Sequence, residues 1–273
     1  MEGALPGLTK YTHRNQKGQC IKMFKYFAIN GLGFSVHCKL YANDIHDTDR
    51  VILFGHGFGG HMDNKAAERF ADRVLAKYKH AAVVTFNWPG HGNDALKKLR
   101  LRDCDAYLSM VTQYIQNTLS AREIYGFATS FGGYLFLKYI SEHGSPFAKL
   151  ALRCPVIDMY DILVGRIMTG ENRESLKKGR DAMVGFDRKI RVDPQFVQEI
   201  RSHPMTRTDF TEQSERMLIL HGTRDEIVPF QAVKTFSDDN LIEFVSVEGA
   251  DHRFQNPAHM ETATKAILNF FEL

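Results

Sequence analysis

Short, nearly continuous apolar runs recur along the chain: VILF at 51–54, AAVVTF at 81–86, EIYGFA at 123–128, KLALRC at 149–154, MLIL at 217–220 and LIEFVSV at 241–247. Strands of a parallel sheet are covered on both faces and read this way, whereas a half-solvated strand alternates. Between the runs, residues 64–78 and 105–119 place apolar side chains at spacings of three and four, and residues 257–271 do so near the C-terminus. That period predicts helices packed on the sheet, and the intervals are long enough for crossover connections. Upstream, residues 22–30 and 34–42 read as two extended runs around Asn30-Gly31, a dipeptide that accepts the positive φ of a tight hairpin. The expected architecture is α/β: a mostly parallel central sheet, opened by an antiparallel pair, with helices on both faces.

The rhythm breaks between residues 155 and 215. About 60 residues separate two strands that a far shorter connection would join, so this stretch is expected to be an inserted cap. Residues 1–154 and 216–273 would then form the core. Short apolar patches at 162–164 and 196–200, set among Gly, Arg and Asp, predict small helices and turns within the cap.

Composition adds bounds. Of the 273 residues, 44% are hydrophobic and 25% charged, ordinary for a globular chain, and an α/β core can run to this length as one unit. The 35 Lys and Arg against 32 Asp and Glu leave a net charge of +3, too small and dispersed to hold a polyanion, so nucleic acid is excluded as a partner. Lys177, Lys178 and Arg180 are offset by Glu171, Glu174 and Asp181, which reads as a solvated face. Cys20, Cys38, Cys104 and Cys154 form no CxxC pair, so neither a zinc site nor a redox dithiol is expected. Residues 1–19 lack the positive start and apolar run of a signal peptide, and no stretch reaches about 18 uninterrupted apolar residues. A soluble cytoplasmic protein without a membrane span is the expectation; whether it forms a homodimer is left open.

The segment GFATSFGGY sets Ser130 between a strand ending near Ala128 and a helix starting near Gly132, where a nucleophile elbow belongs. Small residues two before and two after the serine let strand and helix approach, and Ala128 and Gly132 occupy those places. A serine in this position could equally be a plain helix cap. Its partners decide, because a serine hydroxyl needs a histidine base and an acid that fixes the histidine tautomer. HGTRDEIVP places Asp225 just after the run at 217–220, and EGADHRF places His252 just after the run at 241–247. The order serine, acid, histidine at the carboxyl ends of three separate strands is that of an acyl-transfer triad. Asp251, Glu226 and His259 are less well placed alternatives. His56, His91 and His221 adjoin glycines and are expected to shape loops, with His56 close enough to the site to support it.

HGFGG after the run at 51–54 supplies an oxyanion loop, with the Phe58 and Phe131 N–H groups as the donor pair. A G-x-G-x-x-G pattern can be traced through Gly55, Gly57 and Gly60, but a dinucleotide fold needs an acid at the end of the next strand, where Phe86-Asn87 stand. No cofactor or metal is expected.

Taken together, HGFGGHMDN, FNWPGHGND, the serine elbow, HGTRDEIVP and EGADHRF resemble the α/β-hydrolase superfamily over nearly the whole chain, and within it the bacterial cinnamoyl or feruloyl esterases. The resemblance implies Ser130, Asp225 and His252 as triad, an oxyanion hole from Phe58 and Phe131, and a cap covering an acyl pocket. Such esterases commonly carry a glycine and a histidine before the serine; Ala128 and Thr129 depart from that pattern. The expected activity is hydrolysis of a small-molecule carboxylic ester, aromatic (hydroxycinnamoyl) or short-to-medium acyl, through an acyl-enzyme. Trp88, with Phe58 and Phe131, is expected to line the acyl pocket. Peptidase, amidase or acyl thioesterase chemistry by the same triad, and an inactive binding module on the same fold, are the alternatives.

Overall fold

The structure, a computed structural model, describes residues 11–12, 23–94, 97–119 and 121–273; Cys20, the leader before Tyr11 and the first residue of the run expected at 22–30 lie outside them. The described strands and helices are, in chain order, β1 (Tyr11–Thr12), β2 (Met23–Gly31), β3 (Phe34–Ala42), β4 (Arg50–Gly55), α1 (Lys65–Lys77), β5 (Ala81–Phe86), α2 (Leu101–Asn117), β6 (Glu123–Thr129), α3 (Phe131–His143) and β7 (Lys149–Arg153). After a single π-helical stretch at Asp161–Ile167 come α4 (Gly170–Lys177), β8 (Ala182–Val184), β9 (Ile190–Val192) and α5 (Pro194–Ser202). The chain ends with β10 (Met217–Gly222), α6 (Phe230–Asp239), β11 (Glu243–Val247) and α7 (Pro257–Phe270).

Nine strands form one sheet in the order β1-β2-β3-β5-β4-β6-β7-β10-β11. From β5 to β11 all pairings are parallel, while β1, β2 and β3 join antiparallel. Every residue of β5 and β10 is buried, including Thr85 and His221, as their nearly continuous apolar character leads one to expect. One apolar cluster on one sheet face holds α2, α3 and α6; the other face packs against α1 and α7. Helix α1 turns Ala67, Phe70, Ala71, Val74 and Leu75 to the sheet, and its N-cap Asn64 accepts the Ala67 N–H at 2.7 Å. Helix α3 differs: residues 131–140 are all buried, because it lies between the sheet and the segment that follows β7.

Three expectations are displaced. The hairpin turn lies at Leu32-Gly33, with φ of 50° and 78°, not at Asn30-Gly31; Gly31 stays extended and pairs with Phe34, which lengthens the ladder to nine residues on each strand. Helix α2 begins at Leu101 rather than 105 because its cap comes from a remote residue: Glu199 of α5 accepts the Leu101 N–H at 2.9 Å. The stretch from 155 to 215 contains the small helices expected and also the β8–β9 hairpin, whose three-residue strands are too short to show a period. No helix among the described residues is long and apolar enough to cross a membrane.

Candidate active site

The parallel strands deliver the candidate residues to one rim, their carboxyl ends. At the end of β6, Ser130 adopts φ 52° and ψ −118°, a strained conformation for a non-glycine residue. It is held there by three backbone bonds: its N–H donates to the Arg153 carbonyl at 3.1 Å, and its carbonyl accepts from Tyr134 and Val156, each at 3.2 Å. The close fit explains the small neighbours. A Cβ on Gly132 would come within 2.6 Å of the Gly55 carbonyl oxygen. Ala128 is accommodated because the residue paired with it on β4 is Gly55, which has no side chain to compete.

His252 Nε2 lies 3.0 Å from Ser130 Oγ, and His252 Nδ1 lies 2.8 Å from Asp225 Oδ2. The Asp225 side chain is fully buried and its oxygens are filled. Oδ1 accepts the N–H groups of Ile227 at 2.9 Å and Val228 at 2.8 Å. Oδ2 faces His221 Nε2 at 3.2 Å as well as His252. His221 Nε2 also faces the Val228 carbonyl at 3.0 Å, so with two acceptors before it that nitrogen carries the proton. Burial would raise the Asp225 carboxyl, but the hydrogen bonds from His221 and His252 outweigh it and hold the acid well below the ordinary carboxylate range. An ionised Asp225 fixes the proton of His252 on Nδ1 and leaves Nε2 free to accept from the serine.

The loop after β4 passes beside the serine: a Cβ on Gly57 would lie 3.2 Å from Ser130 Cβ. Among the described residues, the N–H groups of Phe58 and Phe131 donate to no acceptor. The peptide unit that carries the Phe58 N–H is fixed from its other end, since the Gly57 carbonyl accepts from His56 Nδ1 and from Gly60 N–H, both at 2.9 Å. Burial, reinforced by neighbouring His91, lowers the His56 pKa to about 3, so the ring is a neutral donor. The supporting role expected for His56 thus has a definite form, and sequence adjacency to Gly57 was its only signal.

Trp88 corrects the sequence expectation. It is fully buried, packs on Phe86 at 4.4 Å between ring centroids, and donates its indole N–H to the His56 carbonyl at 3.0 Å. The chain after β5 turns beneath the His56 loop, so Trp88 props that loop from below and does not line the cavity. The Phe131 ring is likewise buried, against Phe58, His91 and Phe196; only its backbone faces the site. Of the alternatives, Glu226 accepts the His252 backbone N–H at 3.2 Å, and Asp251 accepts from Gln255 N–H at 2.9 Å.

A cavity of about 560 Å³ opens over Ser130 and His252. Its apolar lining includes Phe58, Ile167, Phe186 and Ile227, and its basic lining Arg153, Arg188 and Arg253. Ile167 comes from the π-helical stretch, and Phe186 and Arg188 from the β8–β9 turn. These residues went unrecognised in the sequence because they approach the site only through long-range packing. Cys154, Asp225 and His252 also place potential ligand atoms within 4.8 Å of one another. Burial and the adjacent Asp225 push the Cys154 thiol well up, so the ligating thiolate is disfavoured, and both Asp225 oxygens already hold two donors each.

A model of the alpha/beta hydrolase fold matches residues 50–169. Dipeptidyl aminopeptidase B of Saccharomyces cerevisiae is 27% identical over 238 residues, covering 81% of this chain and 26% of the yeast protein, so the chain spans about a quarter of that relative. Among solved structures, Est1E from Butyrivibrio proteoclasticus with bound ferulic acid aligns with a TM-score of 0.72 at 17% identity, over 90% of this chain and 100% of that one. Mouse alpha/beta hydrolase domain-containing protein 10 aligns at 0.62 and 15% identity, over 97% and 99% of the two chains. XC6422 from Xanthomonas campestris, described as an α/β serine hydrolase without a lid, aligns at 0.61 and 17% identity over 91% and 94%.

Proposed function

Because the chain has the α/β-hydrolase fold, we propose that it is a serine hydrolase that cleaves carboxylic esters through an acyl-enzyme, with Ser130 as nucleophile, His252 as base and Asp225 as its orienting acid. The observation that carries this reading is the continuous relay of 3.0 Å from Ser130 Oγ to His252 Nε2 and 2.8 Å from His252 Nδ1 to Asp225. Ser130 Oγ attacks the ester carbonyl as its proton passes to His252 Nε2. The oxygen that gains the charge is met by the Phe58 and Phe131 N–H groups, the latter at the positive end of α3. His252 then gives its proton to the departing alcohol, and a water activated by the same nitrogen releases the acid and restores the serine. Residues 155–215 serve as a cap, since Ile167, Phe186 and Arg188 from that segment line the cavity.

A fluorophosphonate probe should label the native protein. Ser130→Ala should abolish labelling and lower ester turnover by at least about 10³-fold while the thermal transition is retained. Turnover unchanged in that variant would overturn the assignment. A peptidase reading is favoured by one observation, the yeast aminopeptidase relative. Turnover of aminoacyl amides above that of p-nitrophenyl and hydroxycinnamate esters would select it.

A further inference from the structure

The same cavity is also lined by Phe54 at the end of β4, Asn64 and Ala66 at the start of α1, Arg153 at the end of β7, and Gln255 in the loop that follows His252. Arg153, the last residue of β7, is the unusual member. It is 7% exposed, its Nε is buried without a hydrogen-bond partner, and its Nη1 donates only to the Met260 sulfur at 3.0 Å. Among the described residues no carboxylate lies within ion-pair distance of it; Asp251 acts on it only at longer range. A guanidinium removed from water normally has a carboxylate or several acceptors to offset the desolvation. Here the ring of Phe254, with its centroid 5.2 Å from the guanidinium carbon, is the main compensation.

The surroundings favour an anion. Asn64 Oδ1 takes the Ala67 N–H, so the N–H groups of Lys65 and Ala66 in the first turn of the 13-residue helix α1 have no acceptor among the described residues. They form the positive end of that helix beside Arg153. The two acids lining the cavity are engaged elsewhere: Asp187 pairs with Arg253 at 2.8 Å, and Glu226 accepts the His252 N–H. Arg153 is also fixed relative to the nucleophile, since its own carbonyl receives the Ser130 N–H.

We propose that this part of the cavity is a carboxylate subsite, in which the guanidinium of Arg153 receives an acid group carried on the substrate, so that the enzyme selects esters whose acyl or alcohol part ends in a carboxylate. A carboxylate is preferred over other anions because two parallel N–H donors match its two coplanar oxygens. The inference rests on the serine hydrolase reading for turnover, but not for binding.

The test compares 4-nitrophenyl hemiadipate with 4-nitrophenyl hexanoate, acyl chains of equal length with and without the terminal acid. The native protein should favour the hemiadipate in kcat/KM. Arg153→Met should lower the hemiadipate-to-hexanoate ratio by about 10- to 100-fold, the range for losing a hydrogen bond to a charged group, and Arg153→Lys should restore part of it. Free adipate should raise the melting temperature of the native protein, and neutral adipamide should not. No ester preference in the native protein, or an equal fall on both esters in Arg153→Met, would make Arg153 a structural residue and end the proposal. Stabilisation by inorganic phosphate at concentrations where adipate has no effect would overturn the carboxylate assignment. Absence of both fluorophosphonate labelling and ester turnover would sink the serine hydrolase reading instead; the adipate melting shift would still decide the subsite.

Discussion

At the residue scale, the site is organised around one carboxylate with four donors. Two are backbone amides of Ile227 and Val228, one is His252, and the fourth is His221, whose Nδ1 is buried without a partner. A ring with one stranded nitrogen is kept because the other meets both Asp225 and the Val228 carbonyl, tying the acid to its own loop. His221 is therefore a positioning residue. Replacing it with leucine removes one charge-assisted bond and should lower stability by about 1–3 kcal/mol. It should also reduce kcat with little change in KM, because an Asp225 less firmly held orients His252 less well. His221→Gln, which keeps an N–H near the same place, should recover part of kcat, and failure of both variants to separate kcat from KM would place His221 in the core alone. The convergence of Ser130, Asp225 and His252 could be expected from the sequence because each follows an apolar run within five residues, among residues that turn the chain. His221 also follows the run at 217–220, but it ends β10 instead of shaping a loop as expected, and no local pattern shows that it faces Asp225.

At the element scale, strands were easier to read than helix ends. The runs at 81–86 and 123–128 lie within a residue of β5 and β6, since burial on both faces leaves little room for polar residues. Helix α5 caps helix α2 across the fold, a relation that no local window contains. Asp193 accepts the Phe196 N–H at 2.9 Å to start α5 and forms a two-pronged pair with Arg100, while Glu199 of α5 caps Leu101 of α2. Arg100 and Asp193 are buried, at 6% and 8% exposure, and each is the other's nearest charged partner, with Glu199 at 3.7 Å from Arg100 and Lys98 at 3.6 Å from Asp193. Arg100→Met leaves buried Asp193 with only the exposed Lys98, 3.6 Å away, and should cost about 3 kcal/mol in urea unfolding. The double variant with Asp193→Leu should recover a substantial part of that loss, although the α5 cap is sacrificed. If the double variant were less stable than the single by the full value of a cap and more, the pair would not be what fastens residues 155–215 to the core.

At the scale of the whole molecule, the period of the apolar runs was sufficient to give a parallel sheet with its catalytic candidates on one rim, whereas residues 155–215 and the cavity they help to line depend on packing between distant segments. The same global burial sets the response to acid. His56 and His91 are fully buried, with ring centroids 5.2 Å apart, and desolvation lowers them to about 3 and about 4 from an ordinary value of 6.5. With the folded pKa depressed, the unfolded chain binds protons first. The stability these rings permit is complete above about pH 6.5 and declines as pH falls toward 4. At pH 5 the loss is about 2 kcal/mol for each ring, from one and a half pH units at about 1.4 kcal/mol per unit. Asp225, whose pKa is depressed by its four donors, adds its own loss only below its ordinary value of 3.8. Urea midpoints measured from pH 7.5 to 5.0 should therefore fall steeply, and His91→Gln, which can still donate to the Pro89 carbonyl but cannot charge, should remove about half of the slope. A slope unchanged by that substitution would mean that the acid sensitivity arises elsewhere and that the aromatic cluster behind the Phe58 loop tolerates a charge.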